Sequence, residues 1–306
     1  MRVFVTGATG FIGSVIVREL IEAGHQVLGL ARSDAAAASL TSVGAEVHRG
    51  TLDDLDSLRS GAAAADGVIH AAFMNEAVRN GPAAFAEAGR VEQRAIEAIG
   101  SVLAGSGRSF VVTSGTGLVS PGHLLTEEDT PDTSSAAAVR VPRNPEVALE
   151  LSARDVRVSV VRLPPSVHGE GDHGFVPALV SIARAKGVSA YPGDGSNRWP
   201  SVHRKDAAHL FRLTLESAKA GSRFHAVADE GVAVREIAGV IGHHLDVPVV
   251  SLPVEEASDH FGWLGRLFSM DCPASSALTR ERLGWHPVQP GLLADLDQGH
   301  YFKERE

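Results

Sequence analysis

The chain of 306 residues holds one cysteine, Cys272. No disulfide can form within it, and paired-cysteine metal or redox motifs are excluded, so a reducing, cytoplasmic setting is expected. No apolar run approaches the ~20 residues of a membrane-spanning helix. The first residues enter a strand-like run with no charged leader, so neither a membrane nor a secretory route is expected. The formal net charge is −9, which argues against nucleic acid as a partner. Lysine occurs only at Lys186, Lys205, Lys219 and Lys303, and tyrosine only at Tyr191 and Tyr301. Tyr191 is followed four positions later by Gly195, and Tyr301 by Arg305, so a YxxxK pair occurs nowhere.

What is present is a soluble-type composition, 44% hydrophobic and 21% charged, in a chain long enough to bury a large core. Val3 to Val5 reads as a buried strand, and Ile12 to Ala23 as an amphipathic helix. Gly7, Gly10 and Gly13 lie between them. Gly7 permits a tight turn, Gly10 lets backbone approach a pyrophosphate, and Gly13 lets helix pack on strand. The free amides and positive end of that helix then face the phosphates, beside Thr9, Phe11 and Ile12.

Further apolar runs follow at Gln26–Ala31, Glu46–Arg49, Gly67–Phe73, Ser109–Thr113, Val156–Arg162 and Phe224–Val227, with helical patterns between them. The alternation predicts an α/β fold, a Rossmann-like doubly wound parallel sheet with a smaller, mostly helical C-terminal substrate domain. Likeness to known dinucleotide-binding proteins implies that residues 1–165, with 200–228 returning, make the dinucleotide-binding domain, and that residues 166–199 and 229–306 make the substrate domain. The second strand closes on Ala31, then Arg32 and Ser33, a cation and a hydroxyl suited to a 2′-phosphate. Forked hydrogen bonds from Arg32 would be worth about 1.5–3 kcal/mol, so NADP is expected over NAD. Asp34 reads as a cap or first-turn residue of the next helix, and His70 as a packed histidine.

The spacing in TGATGFIG resembles the short-chain dehydrogenase/reductase superfamily, specifically its extended branch of epimerases and dehydratases, and the likeness runs from Val3 to about Phe302. The resemblance implies that Leu52, beside Asp53, flanks the adenine. It implies that Ala71, Ala72 and Phe73 pass close to the second ribose, with Thr113 nearby, and that Pro164 and Pro165 lie in the turn touching the nicotinamide carboxamide. Ser114 matches a residue that hydrogen-bonds the substrate oxygen. Met74, Phe175, Arg198 and Trp199 fall on the substrate side, a homodimer through a helix bundle is compatible with the family, and no metal ion is expected.

Active relatives carry a tyrosine, with a lysine four residues on, after the fifth strand. Aligning Glu150 with a glutamate of relatives puts Pro142 at the tyrosine position and Glu146 at the lysine position, with Asn144 capping a helix that opens at Pro145. The usual acid is therefore missing. His168, Glu170, Asp172 and His173 form a titratable cluster on a glycine loop, and His168 or His173 could replace the proton donor. Three functions remain: an atypical NADP-dependent oxidoreductase moving hydride to a hydrophobic carbonyl, imine or conjugated alkene; a non-catalytic NADP-binding sensor; or an epimerase, dehydratase or lyase on the same scaffold.

Overall fold

A computed structural model describes residues 1–73, 76–118, 123–130 and 144–303. The strands in chain order are β1 (Arg2–Thr6), β2 (Gln26–Ala31), β3 (Glu46–Arg49), β4 (Gly67–His70), β5 (Ser109–Gly115), β6 (Arg157–Leu163), β7 (Ser166–His168), β8 (Ser189–Pro192), β9 (Arg198–His203), β10 (Ser222–His225), β11 (Asp229–Ala233) and β12 (Val249–Leu252). The helices are α1 (Gly13–Glu22), α2 (Asp34–Ser42), α3 (Leu55–Ala63), α4 (Glu76–Arg79), α5 (Pro82–Leu103), α6 (Asn144–Glu150), α7 (Phe175–Lys186), α8 (Arg204–Ser217) and α9 (Val234–Leu245), followed by shorter turns and helices to Phe302.

Seven strands form one parallel sheet in the order β10-β6-β5-β4-β1-β2-β3. A parallel sheet is covered on both faces, which explains why its strands are nearly continuous runs of Val, Ile and Phe rather than alternating ones. Val3, Val5, Val111, Val161 and Phe224 face α1 and α8. Phe4, Val112, Val158 and Val160 face α3, α5 and α6. The chain order reverses between β1 and β4, and the crevice beyond their carboxyl ends is where such sheets bind ligands.

The remainder packs around Trp199, Phe261, Leu264 and Phe268, with α7 and α9. It carries two small sheets, β11-β9-β7 and β12-β8. Residues Val254–Phe261 divide into a 3₁₀ turn at Val254–Glu256 and a helix at Ala257–Phe261. The short strands β11 and β12 and the one-turn helix α4 have no clear counterpart in the sequence pattern. The last parallel strand lies two residues earlier than expected, at Ser222–His225, and β4 stops at His70 so that Ala71 to Phe73 run on as irregular backbone.

Candidate cofactor site

The turn from β1 into α1 has room for nothing but glycine at two points. Gly7 has φ +67°, and a Cβ on it would stand 2.7 Å from Ala71 O and 2.8 Å from Ala72 Cα. A Cβ on Gly13 would stand 1.9 Å from Gly7 O. The Gly10 amide donates to Gly7 O at 2.9 Å and closes the turn. Helix α1 then begins with no side-chain cap and no acidic residue in its first turn. Helices leave their first amides unpaired, and most supply a cap from Ser, Thr, Asp or Asn. The Ser14 amide donates to Gly10 O at 2.9 Å and the Val15 amide to Ile12 O at 3.0 Å, so the amides of Phe11, Ile12 and Gly13 and the positive helix end are what is left for an anion, in a cradle that fits a dinucleotide diphosphate. Ala71 and Ala72 form its far wall, while Phe11 and Ile12 are half-buried beside it.

Just beyond β2, Arg32 is exposed, and among the described residues no carboxylate lies within ion-pair distance of it. Ser33, exposed beside Arg32, keeps its hydroxyl proton for a phosphate while its oxygen caps a helix. It is the N-cap of α2, and its Oγ accepts from the Ala36 amide at 3.2 Å. Asp34 opens that helix and turns to Arg49, 2.6 Å away. Leu52 is half-buried against the core on the α3 and α5 side, and neighbouring Asp54 caps α3 through the Ser57 amide at 3.0 Å.

Thr113 donates to His70 O at 2.9 Å, and His70 Nδ1 meets Thr6 Oγ1 at 2.9 Å. Burial pushes the His70 imidazole down to about 4, so it is a neutral structural link between β1, β4 and β5. Half-buried Ser114 follows. Its register partner on β6 is Arg162, whose partner on β10 is His225, so the three form a row across the sheet. Arg162 is 1% exposed, its Nη1 lies 3.3 Å from His225 Nε2, and burial lowers its pKa to about 10. Pro164 is buried and Pro165 half-buried between β6 and β7. Phe73 packs edge-on against Phe85. Pro142 and Met74 lie outside the described residues.

Helix α6 carries Glu146, paired with Arg223 at 2.9 Å. Asn144 does not cap this helix. It is the first residue of α6, buried against α5, where its amide nitrogen donates to Gly89 O at 3.0 Å and to the carboxylate of Glu92. The two tyrosines lie far along the chain, Tyr191 in β8 and Tyr301 near the C-terminus.

The titratable loop divides. His168 is wholly buried, with Nδ1 2.9 Å from Asp295 Oδ2 and its ring edge against His203, so it does not reach the crevice as the sequence suggests. His173 is exposed, and its ring meets the edge of Phe11 at 5.7 Å. Trp199 is likewise a core residue, 0% exposed and packed against Phe268, with Nε1 donating to Leu267 O at 3.3 Å. Phe175 stays half-buried between Trp199 and Trp263. Arg198 is bound to Asp271 by two hydrogen bonds of 3.1 and 3.0 Å. It borders a surface hollow of about 440 Å³, lined by residues such as Pro192, Asp194 and Val254 and by none of the glycine turn. The packing thus gives Trp199 to the core and Arg198 to an ion pair, not to the substrate cleft expected for them. Cys272 is buried, and desolvation pushes its thiol up to about 12, which leaves it inert.

Residues 3–227 match the sequence model of the NAD dependent epimerase/dehydratase family. The chain belongs to that family. It is 50% identical over 304 residues to an uncharacterized protein of Schizosaccharomyces pombe, covering 99% of this chain and 100% of that one. It is 30% identical over 262 residues to a 2-alkyl-3-oxoalkanoate reductase of Stenotrophomonas maltophilia, covering 78% of this chain and 73% of that one. Its fold is similar to that of the dTDP-glucose 4,6-dehydratase DesIV from Streptomyces venezuelae, solved with NAD and TYD bound. The TM-score is 0.76, with 21% identity over 99% of this chain and 97% of that one. The family is NAD(P)-dependent, and the relatives named for an activity are oxidoreductases, epimerases or dehydratases.

Proposed function

We propose that this family member is an NADP-dependent oxidoreductase that reduces a small or medium hydrophobic carbonyl, imine or conjugated alkene. The observation that carries the reading is the uncapped start of α1 inside a turn where Gly7 and Gly13 admit no side chain. Arg32, exposed and without a carboxylate partner among the described residues, supports NADP over NAD. Likeness to a named reductase supports the reaction class.

When bound, the nicotinamide supplies hydride from its C4 carbon. The chain's part is to hold the reactants close and oriented, which can lower a barrier by roughly 7–11 kcal/mol. Ser114, half-buried at the carboxyl end of β5, donates a hydrogen bond to the substrate oxygen. The proton comes from exposed His173 or from water, since Glu146 is tied to Arg223. A missing general acid forfeits about 10²–10⁴-fold in rate, which slows turnover without abolishing it.

One observation favours a second reading, a dinucleotide-binding regulator without turnover: Glu146, at the position the family resemblance gives to the lysine of the catalytic pair, is tied into an ion pair. NADPH deuterated at C4, incubated with a panel of ketones, imines and enones, separates these readings. Deuterium in a reduced product supports the oxidoreductase. Tight NADPH binding with no product supports the regulator. An isomerised or dehydrated product without net loss of NADPH places the protein among the epimerases and dehydratases.

A further inference from the structure

We propose that Arg204 is a diphosphate-binding residue whose guanidinium closes the cofactor site from the α8 side. The inference rests on the dinucleotide reading above and adds to it a cation that the glycine motif does not contain.

Helix α8 runs alongside α1 in the same direction. Glu19 Oε1 meets His209 Nδ1 at 2.9 Å and Arg212 Nε at 2.8 Å, and further along His25 Nε2 meets Glu216 at 2.9 Å. Both helices therefore begin at the same end, and Arg204 is the first residue of α8. Its guanidinium carbon lies 4.6 Å from the centre of the Phe11 ring, inside the glycine motif. Nη1 donates to Glu170 O at 2.8 Å. A Cβ on Gly169 would approach Arg204 Cγ and Cδ to 3.1 Å, so the loop leaves the arginine stem just enough room.

That loop is fixed from behind. The Gly169 amide donates to the Tyr301 hydroxyl at 3.0 Å, and that hydroxyl donates to Asp172 Oδ2 at 3.2 Å. Glu170 O and the Phe11 ring thus hold the guanidinium in one place, a pre-organised cation rather than a waving surface arginine.

Folding alone gives this cation poor company. It is half-buried, Arg18 repels it and two helix N-termini carry partial positive charge beside it, while Glu170 and Asp172 attract it only from beyond ion-pair distance. Among the described residues no carboxylate lies within ion-pair distance of it. Asp206, in the same helical turn, is already engaged by the Val288 and Gln289 amides, at 3.0 Å each. An anion seated at the start of α1 would neutralise the arrangement, and the diphosphate of a dinucleotide is the anion the cradle fits. The interaction is a charge-assisted, forked one, of a kind worth about tenfold or more in affinity.

The test is calorimetric titration of wild type, Arg204→Gln and Arg204→Lys with NADPH, NADH, ADP and adenosine, alongside a thermal melt of each protein. R204Q should weaken ADP and the preferred dinucleotide by about tenfold or more, R204K by less, and adenosine by no more than about twofold. Dinucleotide and ADP binding by a folded R204Q at wild-type strength overturns the inference and leaves the dinucleotide reading standing. So does adenosine binding that weakens in step with ADP, which marks a structural role. Wild type that binds no dinucleotide removes the reading itself, and the inference falls with it.

Discussion

Glu146 Oε2 lies 2.9 Å from Arg223 Nη2, an ion pair at the position that the family resemblance assigns to a catalytic lysine. Both side chains are about one-fifth exposed, and buried Arg162 feels the same carboxylate. Glu146→Lys would therefore not restore a family active site. It would set a third cation beside two arginines and cost about 1–3 kcal/mol of stability, less than a fully buried pair because water screens this one. Urea unfolding of E146K and E146Q measures it; an E146K protein as stable as wild type contradicts the assignment.

Gly13→Ala puts a methyl 1.9 Å from the Gly7 carbonyl, a backbone atom that cannot swing aside. The turn must shift, so dinucleotide affinity should fall by about a hundredfold and stability by about 1–3 kcal/mol. Gly239, inside α9, is the control, because a methyl group there would meet nothing within 4 Å. Gly239→Ala should raise stability by about 0.5–1 kcal/mol and leave affinity alone. Titration and melting of both variants decide the point.

Glu92 is buried on α5, and desolvation pushes its pKa up to about 7 even though Asn144 donates to it. Its folded pKa exceeds the unfolded value, so between about pH 4.5 and 7 the native state holds more protons than the unfolded chain. Stability should fall as pH rises through that window, by on the order of 3 kcal/mol from this group. Glu92→Gln should flatten that part of the curve and leave the protein more stable than wild type at pH 8. Denaturant midpoints from pH 5 to 8 test the sign.

The buried His168–Asp295 contact joins β7 to the helix at Leu292–Asp297. Losing it strands a buried carboxylate, so His168→Ala should cost about 2–4 kcal/mol. As a packing residue, His168 should not set the pH profile of any turnover. A profile whose midpoint moves in a folded His168→Gln variant would return it to the candidate proton donors.

Local chemistry made much of this molecule legible. The β-branched runs mark the central strands, the three glycines mark the tight turn from β1 into α1, and Asp54 caps α3. The remainder depends on partners distant in sequence. His168 meets a residue 127 positions away, and Asn144 turns to one 52 positions away instead of capping its own helix. Arg204 becomes a candidate only when Phe11 comes to lie beneath it. Ser33 is the opposite case: a serine ahead of a helix is a cap by local rules alone, and it is one here. The aromatic residue Trp199 shows why pattern cannot separate a pocket wall from a core, because both require the same side chain.

The central claim is that the turn at Gly7–Gly13 holds a dinucleotide diphosphate. Calorimetric titration of the intact chain with NADPH and with NADH tests it most directly. Saturable binding at one site per chain is expected, tighter for NADPH by about ten- to a hundredfold, with that preference lost in Arg32→Ala. No saturable heat with either coenzyme would contradict the account.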